Sequence, residues 1–307
     1  MMRPPSAVAT VLVLSTLSSC VIGSEKYPRP RDLSPTWLVD RPRVLAVVAE
    51  PPEVRPGEAA TFSALIPDPT SEDDLFQVWL ACPVDDAGNG FGCLTDFSDV
   101  DLENATPEEL ADLGLIGVAP GPFPPTYVAP LDLLDDLSEE ERLEGRYVNA
   151  QVTALPLADL EQATATDDID FNEIEVAYKR LVISEANTPN RNPAIDRFVV
   201  DREDVPADAV VLVDAEQSYD LGIQLPDGTR EIYEFVTSDG VVEERVEEPY
   251  ASWYSTGGEV QEEVTLYPYL ESTWTAPEER GAEGTWYVVL RDRRGGMTWW
   301  SQRWEVR

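Results

Sequence analysis

The sequence has no histidine, three cysteines and few cationic side chains. Without an imidazole, Ser-His-Asp and Cys-His catalysis is excluded, and zinc sites lose their most usual ligand. Across 307 residues, 22 Lys and Arg stand against 59 Asp and Glu, which gives a formal net charge of -37. A surface this acidic repels phosphate groups, so nucleic acid is excluded as a partner.

Length and composition nevertheless describe a folded chain of about two domains. Hydrophobic residues make up 43% of the chain, enough for proper cores, and 26 prolines with 18 glycines predict many turns. No stretch approaches the 18 apolar residues that a membrane-spanning helix requires, so none is expected.

The N-terminus has the pattern of an export signal. Arg3 precedes an apolar stretch over residues 7–17, which is too short to span a bilayer permanently. The following Leu17-Ser18-Ser19-Cys20 resembles the bacterial lipobox, whose cysteine receives the lipid. The resemblance implies a signal peptide over 1–19 and lipidation of Cys20, and more than one acyl chain gives stable anchoring. An ordinary secretory signal is the alternative.

Residues 20–43 are predicted to be a lipidated, proline-rich tether that also contains four arginines. Val21 follows the lipobox cysteine, and by analogy with enteric bacteria this favours the outer membrane over the inner one. We therefore expect a lipid-anchored protein of the cell envelope, in the outer membrane, with the periplasmic or surface face left open.

The two remaining cysteines, Cys82 and Cys93, predict one disulfide, because an exported chain with two nearby cysteines commonly bridges them. Closing a loop of about 12 residues stabilises a fold by roughly 3 kcal/mol. A free thiol pair is the alternative. Within the loop, Asp85, Asp86 and Asn89 are candidate calcium ligands, although their spacing lacks the full Asp-x-Asp-x-Asp-Gly pattern.

Two β-rich halves of the chain read alike. Phe76 precedes Trp79 by three residues, and Tyr250 precedes Trp253 in the same way. A buried tryptophan in a central strand is typical of immunoglobulin-like sandwiches. The strands predicted on this basis are 44–47, 61–65, 76–82, 146–152 and 175–183 in the first half, and 250–256, 285–290 and 298–306 in the second.

Residues 284–296 begin Gly-Thr-Trp, alternate, and end in a turn with Asp292, to which Arg293 and Arg294 are added. This stretch resembles the penultimate strand and hairpin of bacterial Ig-like domains of the PKD or fibronectin kind. The general layout resembles uncharacterised lipoproteins common in myxobacteria and their relatives. The resemblance implies an all-β fold of two tandem Ig-like β-sandwiches and brings no activity with it.

The first sandwich is predicted to carry a short helical and proline-rich insertion. A threonine-proline start at Thr106, a capping box at Ser138 and a stop at Gly145 predict two short acidic helices, separated by a proline-rich crossing over 120–125. Whether the insertion binds something or is inert is left open. The predicted domains are 44–185, with the insertion at about 96–145, a linker at 186–194, and 195–307.

Alternation along the last strands separates core from surface. Trp300, Gln302 and Trp304 share the face predicted to be core, while Trp299 lies on the other face, near Tyr287. Trp299 and Tyr287 therefore form a candidate platform for stacking a sugar ring or a partner's side chain. Coverage of this pair by the tether or by the first domain is the alternative.

No sequence motif for nucleotide binding or for a nucleophile elbow is present, and nothing singles out a catalytic carboxylate pair. We expect a non-catalytic cell-envelope lipoprotein that presents two Ig-like modules for structural or recognition roles. The alternative is a carbohydrate-binding or calcium-dependent ligand-binding surface module, and a carboxylate-based hydrolase is the third class. The expected partners are the membrane, through the lipid, and a protein or polysaccharide; no cofactor is expected unless calcium binds.

Overall fold

The computed structural model describes residues 34–71, 75–83, 114–119, 124–155, 174–237 and 241–307. Within it, Thr36–Arg307 forms one compact unit built almost entirely from strands. Among the described residues there is no helix with the length and apolar character needed to cross a membrane.

The first half of the unit is a sandwich of two sheets. Its strands are β1 Ala46–Glu50, β2 Glu53–Val54, β3 Ala59–Leu65, β4 Phe76–Pro83, β5 Leu115–Ala119, β6 Thr126–Val128, β7 Arg146–Leu155 and β8 Glu175–Ile183, with one helix, α1, at Glu139–Glu144. One sheet has the order β1-β3-β6 and the other β2-β8-β7-β4-β5. All neighbours are antiparallel except β2, which runs parallel to β8.

The second half is built in the same way. Its strands are β9 Arg197–Val200, β10 Glu203–Val205, β11 Val210–Val213, β12 Ser218–Gln224, β13 Ile232–Val236, β14 Val242–Val246, β15 Tyr250–Ser255, β16 Glu259–Val260, β17 Val264–Leu266, β18 Glu271–Thr275, β19 Glu283–Arg291 and β20 Met297–Val306. They form sheets β10-β9-β12-β18-β16 and β11-β20-β19-β15-β17, and β13 and β14 form a two-stranded sheet.

One sheet has the same strand order in both halves, β2-β8-β7-β4-β5 in the first and β11-β20-β19-β15-β17 in the second, which we call the shared sheet. This repeat confirms the predicted all-β fold of tandem Ig-like sandwiches. In each, a short edge strand, β2 or β11, runs parallel to the last strand of the half. In each, the fourth position of the sheet that contains this parallel pair holds a strand, β4 or β15, with a fully buried tryptophan, Trp79 or Trp253. The aromatic-x-x-Trp repeat in the sequence thus marks equivalent strands.

Alternating apolar side chains place one face of each sheet in a core. In the first sandwich, Phe62 from one sheet packs against Trp79 from the other, with ring centroids 5.8 Å apart. In the second, Trp274 faces Trp286 and Trp304 from the opposite sheet, at 4.8 and 5.1 Å. Alternation therefore predicted the core face of β20 correctly, since Gln302 and Trp304 are buried.

The insertion in the first half is partly as predicted. Helix α1 begins at the capping box, where the Ser138 hydroxyl accepts the N–H of Glu141 and the Glu141 carboxylate accepts the N–H of Ser138. The helix ends at Gly145, which has a positive φ of 76°. The predicted helix at Thr106 lies outside the described residues.

The insertion also contains two short strands, β5 and β6, that the sequence patterns did not predict. β5 pairs with β4 at one edge of the five-stranded sheet, and β6 pairs with β3 at the edge of the other sheet. The strands on either side of the proline-rich stretch therefore lie in different sheets. The strands were missed because three to five residues give too short an alternation to recognise, and pairing with a sheet edge creates them.

Candidate functional site

The two sandwiches meet on the outer face of the β19 and β20 region, on the side opposite the second core. There Val289 forms one buried apolar cluster with Val39, Leu45 and Ala46. Partly buried side chains pack around them: Leu65, Tyr254, Tyr287, Met297 and Trp299. We call this cluster the apolar junction, because it joins the start of the first sandwich to the outside of the second.

Residues 36–43, which we call the N-terminal strap, pack against the second sandwich. Trp37 packs in the second core, and Leu38 forms a parallel bridge with Ser255. The N–H of Val39 donates to the Ser255 carbonyl at 2.9 Å, and the N–H of Ser255 donates to the Trp37 carbonyl at 3.0 Å. The sequence placed these residues in the tether; in the structure they pack within the folded unit before the chain reaches β1.

A second part of the contact is ionic. The guanidinium of Arg294 lies 3.0 Å from a carboxylate oxygen of Glu247, 3.3 Å from Glu231 and 3.7 Å from Glu53. It also stacks over the ring of Tyr233, 4.3 Å from its centroid. Glu53 belongs to the first sandwich and the other partners to the second. One cation from the β19–β20 turn therefore links acids of both halves.

The turn that carries Arg294 is held by a buried carboxylate. Asp292 accepts the N–H groups of Arg294 at 2.7 Å and of Gly295 at 3.0 Å, and it accepts the side-chain amide of Asn190 at 2.9 Å. Position 296 must be glycine in this arrangement, because a Cβ at Gly296 would lie 2.1 Å from the Asp292 carboxylate. The turn is thereby fixed against the segment between the sandwiches.

The segment predicted as a linker packs into the contact through its asparagines. The N–H of Asn190, which is buried, donates to Glu53 at 2.7 Å. The side chain of Asn192 donates to the carbonyl of Ala49 at 2.7 Å and accepts the N–H of Met297 at 2.9 Å. An amide side chain both donates and accepts, so one asparagine bridges strands of both halves.

Burial disfavours the charged forms of several groups here. It raises the pKa of the Glu247 and Asp292 carboxyls above their ordinary values. It lowers the pKa of Lys179, a residue of β8, to about 8, although the nearby Asp292 opposes that shift. The Lys179 ammonium donates to the carbonyl of Gly295 and so adds a contact from the first sandwich to the turn. We call Lys179, Arg294 and their four acids, Glu53, Glu231, Glu247 and Asp292, the ionic junction.

This arrangement is suited to holding two modules in one fixed orientation. Removing one partner from a buried ion pair leaves an uncompensated charge and costs about 3–5 kcal/mol. A misaligned pair of sandwiches would leave Arg294 or Glu53 buried without its partner from the other half, so the ionic junction favours one orientation. Among the described residues, no group of three or more Cys, Asp or Glu side chains is placed to hold a metal ion.

Most of the site residues predicted from sequence lie outside the part of the chain that the structure describes. These are Cys20, Cys93, Asp85, Asp86 and Asn89. Cys82 lies on β4, opposite Asn149 of β7. Lipidation, the Cys82–Cys93 disulfide and the calcium site therefore stay predictions.

The structure brings Trp299 and Tyr287 to the same face of the sheet, as alternation predicted. β19 and β20 pair Val289 with Trp299 and Tyr287 with Ser301. Both aromatic side chains are partly buried in the apolar junction, and burial raises the pKa of Tyr287. The first half and the strap thus supply the contacts that the coverage alternative requires. Stacking of a ligand on this pair stays a prediction.

Sequence reasoning did not identify the ionic junction. A signal was present at Arg294, since two arginines interrupt the hairpin turn of a chain that has few cations. Glu53 and Glu231 carried no signal, because they are two among 59 acids and nothing local marks them as buried.

No protein-family model matches the chain, and no curated protein matches it. Among solved structures, it is similar to the tandem V-type regions of VCBP3, a v-region-containing chitin binding protein, with 13% identity over 86% of this chain and 100% of that one, at a TM-score of 0.28. It is also similar to three N-terminal domains of the Hoc capsid protein of bacteriophage RB49, with 13% identity and a TM-score of 0.20. That match covers 86% of this chain and 59% of the Hoc chain. TM-scores this low carry no argument about function.

Proposed function

We propose that this protein is a non-catalytic lipoprotein of the cell envelope that holds two Ig-like sandwiches as one rigid pair for a structural or recognition role. The lipid on Cys20 anchors it, in the outer membrane, and the segment that follows connects the anchor to the folded unit.

The observation that supports this proposal most directly is that the apolar junction and the ionic junction both join the two halves. Apolar side chains of the strap and β1 cover one face of the second sandwich, and Arg294 joins acids of both halves. Two modules that moved independently of each other would not keep charged groups buried between them. A fixed pair, in contrast, presents two surfaces at a constant distance and angle.

The anchor is tested by Cys20→Ser in the native host. Without the thiol no thioether forms, so the protein should move from the membrane fraction to the soluble fraction. Ser24→Ala, four residues further on, is the matched control and should stay with the membrane. Unchanged membrane association of the Cys20→Ser protein would refute the lipid anchor.

The rigid pair is tested by spin labels at Leu131 in the first half and Tyr269 in the second, which are 80% and 79% exposed. The distance distribution between the labels should be narrow, and Arg294→Met should broaden it. Arg293→Met, at the exposed neighbouring position, should leave it narrow. A broad distribution in the unsubstituted protein would contradict the fixed orientation.

A further inference from the structure

The hairpin of β13 and β14 stands apart from both sandwiches in its pairing. Within the described ranges, each of its strands pairs only with the other, and β14 is the one strand in which every residue is exposed. Two-stranded ribbons are marginally stable in water unless a third strand or a packed face supports them. Its base is fixed by Glu231 and Glu247 in the ionic junction, whereas the body of β14 has no such support.

One face of this hairpin has an apolar–acidic–apolar pattern. Along β14, Val242, Glu244 and Val246 point to the same side, and the two valines are 59% and 46% exposed. Glu234 of β13 lies directly opposite Glu244, and like charges in such a pair repel. Neither carboxylate has an ion-pair partner among the described residues. Among the described residues, no cation therefore balances the carboxylates that lie between Val242 and Val246.

The same three residues of β14 also present their backbone to the open edge. The N–H of Thr237 donates to Val241 and the N–H of Glu247 donates to Glu231, which fixes the alternation of bonded pairs along the ribbon. Positions 242, 244 and 246 then fall in the pairs without mutual hydrogen bonds, so their N–H and C=O groups point away from β13. An added strand would find both donors and acceptors there.

We propose that β14 is a docking strand for a cationic, extended segment of a partner protein. The segment adds to the open edge and places a Lys or Arg beside Glu244, with apolar residues two positions before and after it beside Val242 and Val246. Charge selects this occupant: a second copy of this chain would bring another Glu244 and a net charge of -37 to the same edge. This inference deepens the proposed recognition role by naming the class of partner.

The test uses the full chain and the synthetic peptide Thr-Val-Thr-Lys-Thr-Val-Thr, whose pattern reads the same in both directions, so strand direction does not matter. Binding should slow hydrogen exchange at the N–H groups of Val242, Glu244 and Val246. The N–H groups of Glu243 and Arg245, which already face β13, should not change. Peptides with Glu in place of Lys, or Thr in place of both Val, should bind more weakly.

Two variants distinguish docking on β14 from nonspecific attraction of a cationic peptide to the acidic surface. Glu244→Gln should weaken binding about 2–5-fold, the range of a cross-strand charge pair. Glu243→Gln removes the same charge from the opposite face and should leave the affinity unchanged. Equal loss in both variants, equal binding of all three peptides, or no binding would overturn the proposal. None of these outcomes depends on membrane fractionation or on the spin-label distance, so failure here leaves the rigid pair and the anchor to be judged separately.

Discussion

The two sandwiches have one sheet of the same strand order but different cores. The first is built around Trp79 and Phe62 with many small side chains, including five fully or nearly buried alanines: Ala49, Ala60, Ala81, Ala129 and Ala150. The second is filled by tryptophans from both sheets and from the strap: Trp37, Trp253, Trp274, Trp286 and Trp304. The difference teaches that alternation of apolar and polar positions specifies this topology, while side-chain volume is adjusted separately in each half.

The halves also use the same face in different ways. In the second sandwich, the apolar junction covers the outer face of the sheet β11-β20-β19-β15-β17. On the equivalent face of the first, Tyr147 is 48% exposed and lies under Arg180 at 5.6 Å. Repeating a fold therefore did not repeat its contacts, because only one of the two faces received the strap and β1.

The largest expected effect on stability comes from removing one buried tryptophan from each core in turn. Trp79→Ala and Trp253→Ala remove equivalent buried tryptophans, and each should lower the free energy of unfolding by about 3–5 kcal/mol. Because the junction joins the halves, we expect calorimetry to show one transition that both substitutions move. Two separable transitions, each moved only by its own substitution, would show that the sandwiches unfold independently.

Arg294→Met tests the ionic junction itself. It leaves three acids beside the turn without their common cation, so the free energy of unfolding should fall by about 3–5 kcal/mol. Arg293→Met changes the same charge at an exposed position and should stay within about 0.5 kcal/mol of the unsubstituted protein. Urea titration measures the free energy of unfolding of both variants. A small effect of Arg294→Met would mean that the apolar junction alone holds the pair.

Lys179 makes the junction sensitive to alkaline pH. Its pKa falls from 10.5 in the unfolded chain to about 8 in the fold, so burying the charged form costs stability below pH 8. As the pH rises from about 8 to 10.5 that cost disappears, and each pKa unit is worth about 1.4 kcal/mol, on the order of 3 kcal/mol in all.

The measurement is the free energy of unfolding of Lys179→Met and of the unsubstituted protein across this window. The difference between the two free energies should change with pH, because only the unsubstituted protein has the Lys179 ammonium, whose burial cost disappears as the pH rises. Arg180→Met, on the exposed neighbouring residue, is the control. A constant difference would place the Lys179 ammonium in a well-solvated environment.

The smallest expected effect concerns the insertion, which only the first half contains. Ser138→Ala removes the capping hydroxyl of α1 and should cost about 1 kcal/mol. Ser138→Asp keeps a capping acceptor and should cost less. Thermal unfolding followed by circular dichroism compares the two; an equal loss would mean that the cap does not stabilise the first half.

Local patterns predicted much of this fold. The aromatic-x-x-Trp repeat located β4 and β15, alternation assigned the core face of β20, and the capping box located the start of α1. The short strands β5 and β6 escaped prediction, because their pairing partners and not their own sequences make them strands. The strap was read as tether for a related reason: four prolines and scattered charge dominate residues 20–43, and the burial of Trp37 depends on a core formed far along the chain.

The sequence by itself determined the all-β architecture, the tandem repeat and the acidic surface, because these follow from periodicity and composition. Only the tertiary structure decided how the two sandwiches are joined. Asn190 reaches Glu53 across 137 positions and Asp292 across 102, so no local pattern encodes the pairs. Whether a given acid among 59 is buried depends on what the fold brings against it, and burial is what converts Arg294 and its partners from surface charge into a joint between modules.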